Sequence, residues 1–190
     1  MIKPYFEEED YKAIDFAQQK LVEGEYENCL FSACKFNEVA LSNSTFIECQ
    51  FINCDLSNAL INDTLFRDVK FKNCKLLGLQ FNSCNPFLFS VTFDNCQLRL
   101  ASFFQCQLKN SFFLNSQLDE VDFTEADLSK TNLNNCDLRN AIFEHTNLEK
   151  ADLSSSFNFN IDPDRNKITK AHFASHQLIG LLGKYNITVS

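Results

Sequence analysis

From Phe93 to Leu153 a large apolar residue occupies every fifth position without one failure. Phe93, Leu98, Phe103, Leu108, Phe113, Leu118, Phe123, Leu128, Leu133, Leu138, Phe143, Leu148 and Leu153 are the successive hits, and two residues before each stands a compact side chain such as Cys96, Ala101, Cys106 or Thr146. A helix repeats its buried face every 3.6 residues and a strand every 2, so a strict period of five fits neither. The chain must turn a corner with each unit. Short fixed repeats of this kind build solenoids, in which a unit buries its apolar side only against stacked neighbours.

If four units close one turn, residue n lies above residue n+20 at the roughly 4.8 Å spacing of paired strands. Phe103, Phe123 and Phe143 then form one column, Leu98, Leu118 and Leu138 a second, and Leu108, Leu128 and Leu148 a third. Like stacks on like, which fills a narrow interior evenly and pairs each coil's backbone with the next. Units such as Ala126-Asp127-Leu128, Cys136-Asp137-Leu138 and Ala151-Asp152-Leu153 resemble the A(D/N)LXX pattern of pentapeptide-repeat proteins. The resemblance covers about residues 26–153. It implies an all-β fold, a right-handed quadrilateral β-helix, here of about six coils.

The 190 residues suit one domain, and the 21 phenylalanines are accounted for by the interior columns. The nine cysteines all occupy the slot two residues before the large apolar position, where they alternate with Ala, Val, Ser and Thr. Free cysteine behaves as a small hydrophobe, so inward-facing thiols are expected rather than disulfides or a metal site. Reduced thiols, the lack of an apolar leader in MIKPYFEEEDYKAIDF and the lack of a membrane-length apolar run point to a cytoplasmic protein.

Residues 1–25 read as an irregular N-terminal cap, with Ile14-Asp15-Phe16 as its one convincing unit. Up to residue 27 the segment holds eight acids against three lysines, so an acidic binding arm is the alternative. The repeats proper run over 26–153, with a register shift at 82–92. There Asn85-Pro86-Phe87-Leu88-Phe89-Ser90 delays the next anchor by two residues, and Pro86 cannot donate to a ladder. This is either a tolerated kink or, through Phe87 or Phe89, a contact surface. Asn53 over Asn73, and Asn95, Asn115 and Asn135, are expected to form ladders at the corners, with Lys35, Asp55, Lys75 and Arg99, Asp119, Arg139 as charge ladders on the walls.

The densest acidic run is Asp119-Glu120-Val121-Asp122-Phe123-Thr124-Glu125-Ala126-Asp127. Arg99 and Arg139 can match Asp119, while Asp122 and Glu125 stay uncompensated, as a solvated face or as a partner-binding patch. Beyond Leu153 the pattern dissolves into a C-terminal cap and dimerisation tail over 154–190. Ala171-His172-Phe173 looks like one last unit. Ser175 is placed to cap a short helix through Leu178, Leu181 and Leu182, Gly183 to stop it, and Ile187-Thr188-Val189 to form a strand. That much leucine is expected both to cover the open end of the core and, with Tyr185 and Ile187, to meet a second subunit.

No catalytic constellation emerges, and no metal or cofactor site is expected. His172 and His176 have no third ligand at sensible spacing, and four glycines leave no phosphate loop. A net charge of −8 argues against direct nucleic-acid binding but suits an acidic rod entering the basic groove of a DNA-binding protein. The chain resembles the pentapeptide-repeat group that includes the Qnr and MfpA quinolone-resistance proteins and the albicidin-resistance protein, through Glu25 to Cys29, the kink before Phe93 and the terminal tail. That resemblance implies a homodimeric DNA mimic that binds DNA gyrase or topoisomerase IV and shields it from inhibitors. The chain departs from Qnr in lacking long projecting loops. The alternative is a passive scaffold or regulator whose flat walls bind an unrelated protein.

Overall fold

The computed structural model describes residues 3–188. Its chain winds into a right-handed four-sided β-helix of about eight turns, two more than the repeat pattern suggested. Strands β1 (Tyr5–Glu7), β3 (Glu25–Glu27), β5 (Thr45–Ile47) and β7 (Leu65–Arg67) stack in parallel as face 1. Face 2 stacks β2 (Asp10–Lys12), β4 (Leu30–Ser32), β6 (Gln50–Ile52), β8 (Val69–Lys72), β9 (Val91–Asp94) and β10 (Phe112–Leu114). Near the C-terminal end of that wall β11 (Asp152–Leu153) pairs with β12 (His172–Phe173). Faces 3 and 4 are held by single bridges such as Asp15↔Lys35 and Ala40↔Leu60. The register is twenty throughout, except across the kink, where Val69 pairs Val91 and Lys75 pairs Gln97.

Two boundaries lie further out than expected. The N-terminal stretch forms a first coil rather than an irregular cap: Phe6 pairs Tyr26, Tyr11 pairs Phe31, and the Phe16 ring stacks on Phe36 at 4.6 Å. At the other end the walls continue to Phe173 through Asn147↔Lys167 and β12. Backbone ladders tolerate irregular side chains as long as the turn recurs, so both ends escape a motif read from side chains alone.

The turn recurs because one residue per unit adopts a left-handed conformation. Asn53, Asn58, Asp63, Asp68 and Asn73, each two residues after an anchor, have φ between 53° and 55°. Most L-residues resist this region, while Asn and Asp accept it through local hydrogen bonds. The expected amide ladders form in part: Asn73 Nδ2 donates to Asn53 Oδ1 at 3.1 Å, Asn95 to Asn73 at 2.8 Å and Asn135 to Asn115 at 3.2 Å, while Asn115 turns from Asn95 and donates to Asp94 Oδ1 at 3.1 Å.

Inside, Phe31, Phe51, Phe71, Phe93 and Phe113 stack at centroid spacings of 4.7 to 5.4 Å, and Phe81, Phe103, Phe123 and Phe143 at 4.6 to 5.4 Å. Neighbouring columns meet edge to face, as Phe93 and Phe103 do at 5.9 Å. Such pairs add about 0.5–1.5 kcal/mol each beyond area burial.

All nine cysteines are free thiols, eight of them buried. Their slot does more than the expected filling. Cys49 Sγ–H donates to the carbonyl of Tyr26 at 3.3 Å, Cys54 to Phe31 at 3.3 Å and Cys74 to Phe51 at 3.2 Å, always 23 residues back. Thr64, Thr131 and Thr146 make the same bond at 2.8–3.0 Å. Asn166 fills the slot near the end, donating to Phe143 at 2.9 Å. The slot thus selects small donors that satisfy interior carbonyls.

The tail forms the expected short helix, but with other ends than expected and without the strand. Ser175–Leu181 is a 3-10 helix preceded by Ala174, with no side-chain cap, so Ser175 does not act as one. Gly183 opens a second 3-10 turn, Gly183–Tyr185, instead of stopping the first. Ile187 and Thr188 are not in a strand, and Val189 lies outside the described residues. Gly180 lets this helix press on the end of the core: a Cβ there would stand 2.5 Å from the carbonyl oxygen of Phe159.

Candidate functional site

The five carboxylates of the acidic run do not form a stripe. Because twenty residues make one circuit, a run of nine residues travels around the rod rather than along it. Asp119 and Glu120 lie at the corner before face 4, Asp122 on face 4, Glu125 at the next corner with φ 56°, and Asp127 on face 1. Arg99 claims two of them, at 3.2 Å from Asp119 and 2.7 Å from Glu120. Arg139 does not complete the expected ladder; it turns to Asp137 at 3.3 Å. Lys35, Asp55 and Lys75 stack in register, but no ion pair forms between them.

The three remaining acids take only neutral partners. Asp122 Oδ1 accepts the Thr124 N–H at 2.9 Å, Glu125 accepts the Gln105 amide at 2.7 Å, and Asp127 accepts from Ser129 and Asn147 at 2.9 Å. None of the three lies within ion-pair distance of a base among the described residues.

An axial row of acids lies elsewhere, at the corner between faces 1 and 2. Glu8, Glu48 and Asp68 occupy equivalent left-handed corner positions with Asn28 between them, and Glu7 stands beneath Glu27. Arg67 is the base among them; Tyr5 donates to Glu27 at 2.8 Å and Ser90 to Asp68 at 2.9 Å. Past the kink the same corner carries Lys130, Lys150 and Lys170. The sequence does signal this row, but only when carboxylates are compared at spacings of twenty rather than as neighbours.

Of the two kink rings, Phe87 is 65% exposed, whereas Phe89 is half-buried and packs edge to face on Phe81 at 6.2 Å. Phe89 therefore belongs mainly to the core. In the tail, Leu178, Ile179, Tyr185 and Ile187 are exposed, Leu181 packs on the end of the core, and Leu182 is half-buried. Lys184, bonded to Asp162 and Asp164, pins this cap down. His145 sits at a corner 3.6 Å from Glu144, and no group of three potential metal ligands occurs among the described residues.

Comparison with known proteins agrees with this geometry. The described architecture is that of a right-handed quadrilateral β-helix built from five-residue units. A model of the pentapeptide repeat region matches residues 44–123, and a model of pentapeptide repeats in eight copies matches residues 116–154. Together they span more than half of the chain, which belongs to the pentapeptide-repeat family. A model of the SV2A/B/C luminal domain matches residues 4–81. No curated protein matches the sequence significantly. Among solved structures, a trypsin-treated variant of the plasmid-mediated fluoroquinolone resistance protein QnrB1 matches with a TM-score of 0.65 at 19% identity, over 100% of this chain and 99% of its own. HetL, a pentapeptide repeat protein involved in heterocyst differentiation regulation in the cyanobacterium Nostoc sp. strain PCC 7120, matches with a TM-score of 0.68 at 15% identity, over 92% of this chain and 86% of its own. Both likenesses are likenesses of fold. No described helix is long and apolar enough to cross a membrane.

Proposed function

We propose that this protein is a non-enzymatic, cytoplasmic DNA mimic that binds DNA gyrase or topoisomerase IV and protects it from inhibitors of the quinolone or albicidin type. The observation that carries the reading is the acidic edge of coils one to four, where Glu7, Glu8, Glu27, Glu48 and Asp68 recur along the rod axis at coil spacing. Regular negative charge on a narrow rod is what a basic DNA-binding groove recognises, and complementarity of this kind raises the association rate and weakens with salt. Asp122, Glu125 and Asp127 extend the surface around the sixth coil, and exposed Phe87 lies between the two. Asp119 and Glu120, held by Arg99, contribute less. The tail supports a homodimer through Leu178, Tyr185 and Ile187, with Leu181 and Leu182 bracing it from beneath. The fold shared with a fluoroquinolone resistance protein adds support.

A second reading, a passive scaffold or regulator, is supported by the equally similar fold of HetL. A supercoiling assay separates the two. Purified protein at micromolar concentration inhibits gyrase, or rescues it from an inhibitor, if the first reading holds; neither effect favours the scaffold.

A further inference from the structure

The wall of the solenoid is interrupted on face 1, as it is on face 4 between Leu60 and Gln80. On face 1 the stacked strands end at β7, and bridging resumes only with Gln107↔Asp127. Within the bridged ladder an outward wall residue donates its N–H to a carbonyl of the coil beneath and accepts there with its own carbonyl. Asp127 N–H donates to Cys106 at 3.0 Å, and the Asp127 carbonyl accepts from Leu108 at 2.8 Å. By the same rule Gln107 should donate to Cys84 and accept from residue 86, yet neither bond forms. Pro86 has no N–H to give. The chain instead loops outward through Phe87 and Leu88 and rejoins the coil beneath when Ser90 donates to Phe66 at 3.0 Å. Gln107 is left with an unpaired donor and an unpaired acceptor side by side on the edge that faces the loop.

Beside that edge opens a cavity of about 380 Å³, walled by Phe81, Pro86, Phe89 and Phe104, with no charged side chain in its lining. Cys106 also lines it, and this is the one half-buried cysteine and the one whose thiol donates to no carbonyl. The volume falls in the range of small-molecule sites, which combine apolar walls with a few placed polar groups. An added peptide strand is disfavoured, because only one residue of the edge is free: the N–H of Cys106 is bonded to Phe103 and that of Leu108 to Asp127.

We propose that this opening binds a small, neutral, planar aromatic molecule with an amide or lactam edge. Its carbonyl accepts the Gln107 N–H, its N–H donates to the Gln107 carbonyl, and its rings lie among Phe81, Phe89 and Phe104. The site does not depend on the topoisomerase reading, and either can fail alone.

The test uses oxindole, a neutral bicyclic lactam, titrated into the full-length ¹⁵N-labelled protein. Saturable shifts centred on the Gln107 and Cys106 amides are expected, with N-methyloxindole, which lacks the donor, binding about tenfold more weakly. Phe104→Ala, at an exposed wall position, weakens binding without unfolding the chain, and Cys106→Phe fills the space and abolishes binding. Absence of a saturable shift, equal affinity for the N-methyl compound or shifts spread elsewhere on the surface overturns the proposal. So does a response of Gln107 to the peptide acetyl-Val-Phe-Val-amide but not to oxindole, which would make the opening a strand acceptor.

Discussion

The thiol of Cys136 donates to the carbonyl oxygen of Phe113, 23 residues earlier, at 3.1 Å. Equivalent bonds from Thr131 to Leu108 and Thr146 to Phe123 measure 2.8 Å, so the slot beneath each corner acts as a donor rung as well as a filler. The Leu108 carbonyl also accepts the Ser111 N–H at 3.0 Å, so loss of the Thr131 bond removes one of its two partners and costs about 1 kcal/mol. Thr131→Val keeps the shape and removes the donor, so its unfolding free energy should fall by that amount, read as a lower urea midpoint at unchanged slope, whereas Thr131→Ser should lose much less. Equal losses would mean that the slot is only packed.

Buried thiols also make stability depend on alkaline pH. Burial pushes Cys49, Cys106 and Cys136 up from 9.0 to about 12. Between those limits the unfolded chain releases protons that the folded chain keeps, so stability falls as pH rises. It is undiminished below about pH 9 and declines above it by up to roughly 1.4 kcal/mol per pH unit for each such thiol. Thermal unfolding followed from pH 8 to 11 should show this decline, and Cys49→Ala with Cys136→Ala should flatten it.

Leu100 occupies a corner at φ 62° and is 54% exposed, where Asn58 and Asn140 hold the equivalent corners of other coils. A branched apolar residue gains nothing from exposure and is strained by the left-handed conformation. Leu100→Asn or Leu100→Gly should stabilise the protein by about 1 kcal/mol, raising the melting temperature by roughly 2–4 °C. A drop would show that the leucine makes a contact the corner geometry does not reveal.

The exposed face of the tail gives a test of assembly. Leu178 and Ile187 carry little of the core, while Leu181 packs against it. Leu178→Glu with Ile187→Glu should therefore convert a dimer to a folded monomer in sedimentation analysis with unchanged circular dichroism. Leu181→Glu should instead lower the melting temperature. A double variant that sediments like the parent would remove the tail from the interface.

Most of the architecture is legible in the sequence because a five-residue period leaves few solutions: Phe103 above Phe123, and Asn53 beneath Asn73, follow from counting. What escapes counting has physical reasons. The end coils at Tyr5 and Phe173 are held by backbone bonds that carry no residue signature. The pairing of Arg99 with Glu120 depends on side-chain reach around a corner, and a nine-residue acidic run looks linear until it is wrapped. Pro86 announces an irregularity, but the unpaired edge it leaves on Gln107 is twenty-one residues away in the chain.

That wrapping separates two candidate contact surfaces that the acidic composition alone merges. Glu48→Lys with Asp68→Lys reverses the axial row of the first four coils, and Asp122→Lys with Glu125→Lys reverses the girdle of the sixth. All four side chains lie at corners or on a wall outside the core, so neither pair should shift the melting temperature by more than a degree or two. If a basic groove reads charge along the rod, the first pair should weaken topoisomerase binding tenfold or more, chiefly through a slower association rate, and should reduce its salt dependence. The second pair should have the smaller effect, since one coil presents its acids to different sides. The opposite ranking would move the contact surface to the sixth coil, and no effect from either would leave the flat walls, and with them the scaffold reading, as the surviving account.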